Sequence, residues 1–363
     1  MIIKEVVLHS YASPPKPTDL HGQRRRELSK EITGIYDEAR RVRFPAGPAS
    51  NPALSLLLVN HKMYDETLEA VKHISIATPI TYTADIIYLK DVTLWPTWLS
   101  VPMRASHIDT LYAQFRIFDC PAGKEMPQPA VYKRLFLPGP NDDDNNPPQA
   151  LIWPFYHVLI GSLLSGSPCG NPVSINRLVL NFLPDMSSME TLLQVHPAIL
   201  QQAHGLCLLR QDWVVPFCCP ERKPPLFGNV DPLGGGGDGD GDGHDDYRQY
   251  LRRIATEWLM VYVLDQLEEM ARLRMENVEL GKIIFENIGF IDVQLDGLCF
   301  VKIDLAQALE VAHSRKQDDD QSERWARKFP VEFARWKRKV EARRQSLGMP
   351  GKGEWVKRWG GEP

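Results

Sequence analysis

Asp238-Gly239-Asp240-Gly241-Asp242-Gly243 is the segment whose residue types and spacing come nearest to chemistry. Acidic residues at positions one, three and five, with glycine at six, reproduce the opening of an EF-hand loop. There, hard oxygens gather around Ca²⁺ at a sharp turn. The rest of the loop differs. Position eight is Asp245 where paired loops carry an apolar residue, and position twelve is Gln249 in place of the bidentate glutamate. Glycines at 234–237 occupy the place of the entering helix. The segment reads as a flexible acidic linker, with Asp238, Asp240 and Asp242 a weak calcium candidate. No resident metal or cofactor is expected.

A second constellation could suit zinc. His204 and Cys207 have a ligand-like spacing, and Cys218 and Cys219 follow. Adjacent cysteines seldom both reach one tetrahedral ion, and the chain has no C-x-x-C. These residues read instead as small apolar core groups near proline turns. Motifs for a nucleophile, a phosphate loop, a zinc protease and a dinucleotide turn are absent from the sequence, which lowers the enzyme reading. A site assembled from scattered residues stays open as an alternative.

The C-terminal segment carries the other signal. Residues 321–363 hold 12 Lys and Arg against 5 Asp and Glu, a net charge of +7; against −4 for the whole chain, residues 1–320 carry −11. Phe333, Trp336 and Val340 share one helical face with Phe329, while Arg335, Lys337, Arg338, Lys339, Arg343 and Arg344 crowd the rest. These six cations are the partner-binding candidates. A basic amphipathic helix can meet an acidic partner, a membrane surface, nucleic acid or the import machinery. The plainer alternative packs the aromatic face on the body and leaves the basic face in water.

The elements that must position these residues follow from length and pattern. At 363 residues and 41.3 kDa, the chain suits two domains or one large one. Its 43% hydrophobic and 24% charged residues exclude a disordered chain, a coiled-coil rod and a collagen-like repeat. The 29 prolines argue against long uninterrupted elements. Periodicity predicts a short helix over 27–41 and a broadly buried helix from an Asn51 cap, through Leu54, Met63, Tyr64 and Leu68. Strands are predicted over 74–82 and 85–94, with an aromatic turn at 95–99 around Pro96. Residues 108–119 alternate, with Leu111, Ala113, Phe115 and Ile117 on one face and Tyr112, Gln114, Arg116 and Phe118 on the other. A further strand is predicted over 174–182. A long helix is predicted over 246–280, and a hairpin turns at Asp296-Gly297 between 290–295 and 298–303. Residues 138–148 and 229–246 read as flexible acidic loops, the second without order over 234–243.

The N-terminus shows no signal-peptide pattern, and the apolar run 151–164 is too short to span a membrane. Six thinly spread cysteines read as reduced thiols. Both point to a cytoplasmic or nuclear protein.

One block resembles a known pattern. Residues 52–68, Pro-Ala-Leu-Ser-Leu-Leu-Leu-Val-Asn-His-Lys-Met-Tyr-Asp-Glu-Thr-Leu, are similar to a stretch of uncharacterised F-box-like proteins of filamentous fungi. Ile87-Tyr88-Leu89-Lys90, Leu94-Trp95-Pro96-Thr97-Trp98-Leu99, Ile108-Asp109-Thr110-Leu111 and Phe115-Arg116 continue it, over roughly a fifth of the chain. Ile175-Asn176-Arg177-Leu178-Val179-Leu180 and Asp296-Gly297 fit more loosely. The family's L-P-x-E-I head has its counterpart in Leu28-Ser29-Lys30-Glu31-Ile32 and Ile35-Tyr36, without the proline. The resemblance implies a protein partner, a ubiquitin-ligase adaptor in the F-box case, and carries over no catalytic residue.

The expected fold is α/β, mixed α+β: an irregular sheet covered by helices, with one long helix in the C-terminal half and a basic helical tail. Residues 1–50 form a poorly ordered head with the F-box-like remnant, 51–310 the body, and 311–363 the tail. The expected function is a non-catalytic protein-interaction module. The alternatives are nucleic-acid binding through 321–363 and an enzyme without a recognisable motif.

Overall fold

In a computed structural model of the chain, the described residues are 5–6, 8–14, 16–17, 25–27, 42–45, 59–77, 79–89, 93–102, 105–118, 174–184, 186, 256, 259–260, 263–264, 267, 278–311 and 323–354. They form a mixed α+β structure around a six-stranded sheet. Two short strands, β1 (Arg25–Glu27) and β2 (Arg43–Pro45), make a separate antiparallel pair. Helix α1 (His61–Ala77) leads into β3 (Thr81–Leu89), β4 (Thr93–Ser100), β5 (His107–Phe118) and β6 (Ser174–Phe182). Helix α2 (Val278–Asn287), β7 (Ile288–Leu295), β8 (Leu298–Asp304), α3 (Leu305–Val311) and α4 (Glu323–Ser346) complete the described elements.

The sheet order is β4-β3-β5-β6-β7-β8. The central four strands are parallel, and β4 and β8 close the two sides antiparallel. Pairing Leu111 with Leu178, and Leu178 with Ile291, puts the apolar residues of three strands on one face. That face carries the core, where Phe115 stacks on Phe182 with centroids 4.7 Å apart. Helical residues Leu259, Met260, Val263, Leu264 and Leu267 cover it, at the i, i+4, i+8 spacing of one helix face. Ile284 and Phe285 of α2, Leu305 and Leu309 of α3, and Phe333 and Val340 of α4 join the same cluster.

Several predicted elements stand where the pattern puts them. β5 and β6 match the alternating runs within a residue. The hairpin turns at Asp296 (φ 50°) and Gly297 (φ 76°), the left-handed pair that a tight two-residue turn needs. Its turn is tied to β6, since Asp296 N donates to Phe182 O and Gly297 N to Asn181 Oδ1, both at 2.8 Å.

Other expectations are corrected. Among the described residues, α1 is capped by Asn60, whose Oδ1 accepts from Met63 N at 2.9 Å. Tyr64 and Leu68, expected in its buried face, are exposed at 43% and 44%. The helix runs on through Ile74 and Ile76 to Ala77, because a capped helix extends more cheaply than a new strand starts. The expected strands over 74–82 and 85–94 resolve into β3 and β4. The aromatic segment 95–99 lies within β4, where Pro96 is tolerated because β4 ends the six-strand order. The described positions of the predicted long helix are helical, and α2 carries helix to Asn287, past the expected end at 280.

The described part of the head lies against the sheet: Tyr11 N donates to Leu99 O at 2.8 Å, and Val42 is fully buried. The linker 229–246 with Asp238, Asp240 and Asp242, the loop 138–148, the group His204, Cys207, Cys218 and Cys219, and the head motif at 28–36 lie outside the described residues, as does the expected helix 27–41 except for Glu27, which ends β1.

Candidate functional site

A parallel sheet is usually covered on both faces and built from nearly continuous apolar strands. This one is apolar on one face and mixed on the other, where a band of polar residues adjoins a small buried cluster of Ile87, Leu89, Trp95 and Phe118. The register sets Asp85, Gln114, Asn181 and Gln294 in one row across β3, β5, β6 and β7. Tyr112, Val179, Asp292 and Lys302 form the next row, and Thr110, Arg177, Phe290 and Asp304 the one after. Tyr112, Gln114, Arg177, Gln294 and Lys302 are half-buried there.

Two ion pairs anchor this face. Arg116 grips Asp85 with both arms: Nε donates to Oδ1 and Nη2 to Oδ2, each at 2.7 Å, and both residues are buried. Its Nη2 also donates to Pro14 O at 2.6 Å, so the N-terminal segment is fastened to the same guanidinium. This paired fork is the strong form of a charged hydrogen bond. The second pair joins Arg177 Nη2 to Asp292 Oδ2 across β6 and β7. Gln294 Nε2 donates to the same Oδ2 at 3.3 Å, while Arg177 Nε and Asp292 Oδ1 are buried without a hydrogen-bond partner.

Between the pairs, Asn181 Nδ2 donates to Tyr112 Oη at 2.6 Å. Burial pushes the Tyr112 phenol above its usual range; the Asn181 bond opposes this and the Asp292 charge adds to it. Tyr112 is therefore a protonated phenol at neutral pH, a hydrogen-bond donor rather than a base. At the opposite end of β5, Ser174 Oγ lies 2.8 Å from His107 Nδ1 and 3.3 Å from Ser106 O. That hydroxyl is buried and held on a carbonyl.

α4 distributes the six basic candidates unequally. Arg344 faces inward, 5% exposed, with Nη1 donating to Phe285 O at 3.0 Å and Ile288 O at 2.6 Å, and Nη2 to Gly289 O at 2.9 Å. It satisfies carbonyls that the end of α2 leaves open. Burial lowers its pKa to about 10, against the pull of Asp304, so it remains a cation at neutral pH. Arg343 Nη2 donates to Asn287 Oδ1 at 3.1 Å, and Lys337 pairs with Glu341 at 4.0 Å. Arg335, Arg338 and Lys339 are exposed. The aromatic side of α4 is occupied: Phe333 is buried, and Trp336 Nε1 donates to Glu286 Oε1 at 3.1 Å.

Asp85, Arg177, Asn181 and Asp292 were not singled out by motif. Their signal is a polar residue within a mostly apolar strand, visible in Ser174–Phe182 as Arg177 and Asn181 on one face. Among the described residues, no group of three His, Cys, Asp or Glu side chains could hold a metal ion. Nor, among them, is any helix long and apolar enough to cross a membrane. No family model, curated protein or solved structure matches the chain.

Proposed function

We propose that the chain is a non-catalytic protein-interaction module, a degenerate F-box-like receptor whose contact surface includes α1. The observation that carries this reading is an exposed apolar stripe: Val59, Tyr64 and Leu68 stand 61%, 43% and 44% exposed at the start and along one side of α1. All three lie inside the block 52–68 that resembles the F-box-like pattern. Tyrosine is enriched in protein interfaces, where its ring gives area at small entropic cost. The groups with the most chemistry support the same reading, because Asp85, Arg116, Asp292 and Arg177 are engaged with one another. Such a receptor would work in the cytoplasm or nucleus with a ubiquitin-ligase adaptor as partner.

The test is direct titration of the purified full chain against a purified cullin-ligase adaptor. Tyr64→Asp with Leu68→Asp should weaken binding at least about tenfold, as expected for loss of an aromatic anchor. Their exposure predicts an unchanged melting temperature. An adaptor that fails to bind the parent chain would sink the receptor version. Equal binding by parent and double variant would remove α1 from the surface.

A further inference from the structure

We infer that the outward face of α4 is a docking strip for the phosphodiester backbone of a nucleic acid. This site is separate from α1 and does not depend on the reading given to it. The helix turns about 100° per residue, so Arg335, Arg338 and Lys339 share one face, with Arg343 on its flank. Phe333, Val340 and Arg344 point the other way into the protein. The three central cations are exposed. Arg338 Nε is held on Ala334 O of its own helix at 3.3 Å, which leaves the remainder of its guanidinium outward.

The packing of the helix selects among the polyanions that a basic strip can meet. Membrane insertion of an amphipathic helix needs its apolar face, and here Phe333, Trp336 and Val340 are committed to the core and to Glu286. A protein interface needs an apolar or aromatic centre. Among its described residues this strip offers one large exposed apolar side chain, Val331. Backbone binding to nucleic acid needs no apolar centre, because released counterions supply the free energy. Arginine predominates in the strip, and its planar fork matches phosphate oxygens in pairs. Arg344 fixes the helix on α2 and β7 through three carbonyls, so the cations are presented on a rigid rod.

The test measures binding of the full chain to single-stranded RNA, duplex DNA and polyglutamate at 50 and 200 mM salt. Three to four phosphate contacts predict roughly a 40- to 150-fold loss of affinity for duplex DNA across that range, and roughly 20- to 50-fold for single-stranded RNA. Arg335→Glu, Arg338→Glu and Lys339→Glu together should reduce affinity at least about tenfold and flatten the salt dependence. The exposed positions should leave the melting temperature unchanged; if charge reversal disturbs folding, the triple alanine variant should show the same loss in part. Arg335→Lys with Arg338→Lys should retain salt-dependent binding. The α1 variant Tyr64→Asp/Leu68→Asp should bind nucleic acid like the parent, which separates the two sites. The inference is overturned by equal binding of parent and triple-glutamate chains, or by polyglutamate bound as tightly as the nucleic acids. The RNA and DNA arms show which backbone is preferred.

Discussion

At the scale of single residues, the Asp85–Arg116 pair decides most. Both groups are buried, so neither can be rehydrated if its partner is lost. Removing one member of such a pair costs about 3–5 kcal/mol, whereas an apolar replacement of both is often nearly neutral. Asp85→Ala should therefore lower unfolding free energy by about that amount in urea titration. Asp85→Leu combined with Arg116→Met should recover much of it, and a double variant no better than the single would refute the account. Tyr112 makes a pH prediction. Its folded pKa lies above the usual value of about 10, so its contribution is whole below pH 10 and is lost as pH rises through the folded value. In tyrosinate absorbance, Tyr112→Phe should remove one late-titrating phenol relative to the parent, and an unchanged late amplitude would refute the assignment. Neither Asp85–Arg116 nor Arg177–Asp292 was legible in the sequence. The partners are 31 and 115 residues apart, and only the sheet register brings them together.

At the scale of elements, legibility followed the strength of periodicity. β5 and β6 were readable because one side of each strand is continuously apolar, and the β7–β8 hairpin because Asp296-Gly297 states its own geometry. α1 was legible over 61–71, and its cap at Asn60 was not, because the apolar run 51–58, which lies outside the described residues, continues the same pattern. In α4 the amphipathic pattern gave the buried side through Phe333, Trp336 and Val340. It could not show that Arg344 belongs to that side, since charge reads as surface until three carbonyls are found around it. The crowding beside that guanidinium yields a further prediction. A Cβ on Gly289 would lie 2.3 Å from Asn176 O and 2.9 Å from a ring carbon of Pro350. The first neighbour is backbone and cannot swing aside, so Gly289→Ala should cost about 3 kcal/mol through forced backbone shifts. Denaturant unfolding measures this; a change below about 1 kcal/mol would mean β6 and β7 can separate locally.

For the whole molecule, the aromatic face of α4 packs on the body, the plainer of the two expectations for the C-terminal segment. Phe333 and Val340 belong to the main hydrophobic cluster, Gly353 N donates to Asp304 Oδ2 at 2.8 Å, and Lys352 pairs with Glu310 at 2.7 Å. Asp304 also receives Ala306 N and Gln307 N at the start of α3, so one carboxylate joins the end of β8, α3 and the turn at Gly353. Deletion of residues 321–363 should remove buried aromatic and aliphatic groups whose individual loss costs about 2–5 kcal/mol each. The shortened chain should lose its cooperative thermal transition and show broad, early amide exchange over α2 and β7. A truncated chain that melts as sharply as the parent would show that α4 is an appendage. This experiment also bears on the phosphate-backbone strip, whose exposed substitutions should leave the same transition untouched.

The separation of β6 from β7 has a consequence in time. β6 ends at Phe182 and its parallel neighbour begins at Ile288, so 105 residues intervene. At about 5–20 residues per second of synthesis, β6 waits roughly 5–20 s for the strand that pairs with it. During that interval its backbone donors and acceptors toward β7 have no native ladder. Arg177 sits on the same strand ahead of its carboxylate partner, Asp292. A charged residue on a waiting strand opposes pairing with stray chains. Arg177 thus leaves a charge on β6 for as long as that strand has no native neighbour, and Asp292 neutralises it in the finished sheet.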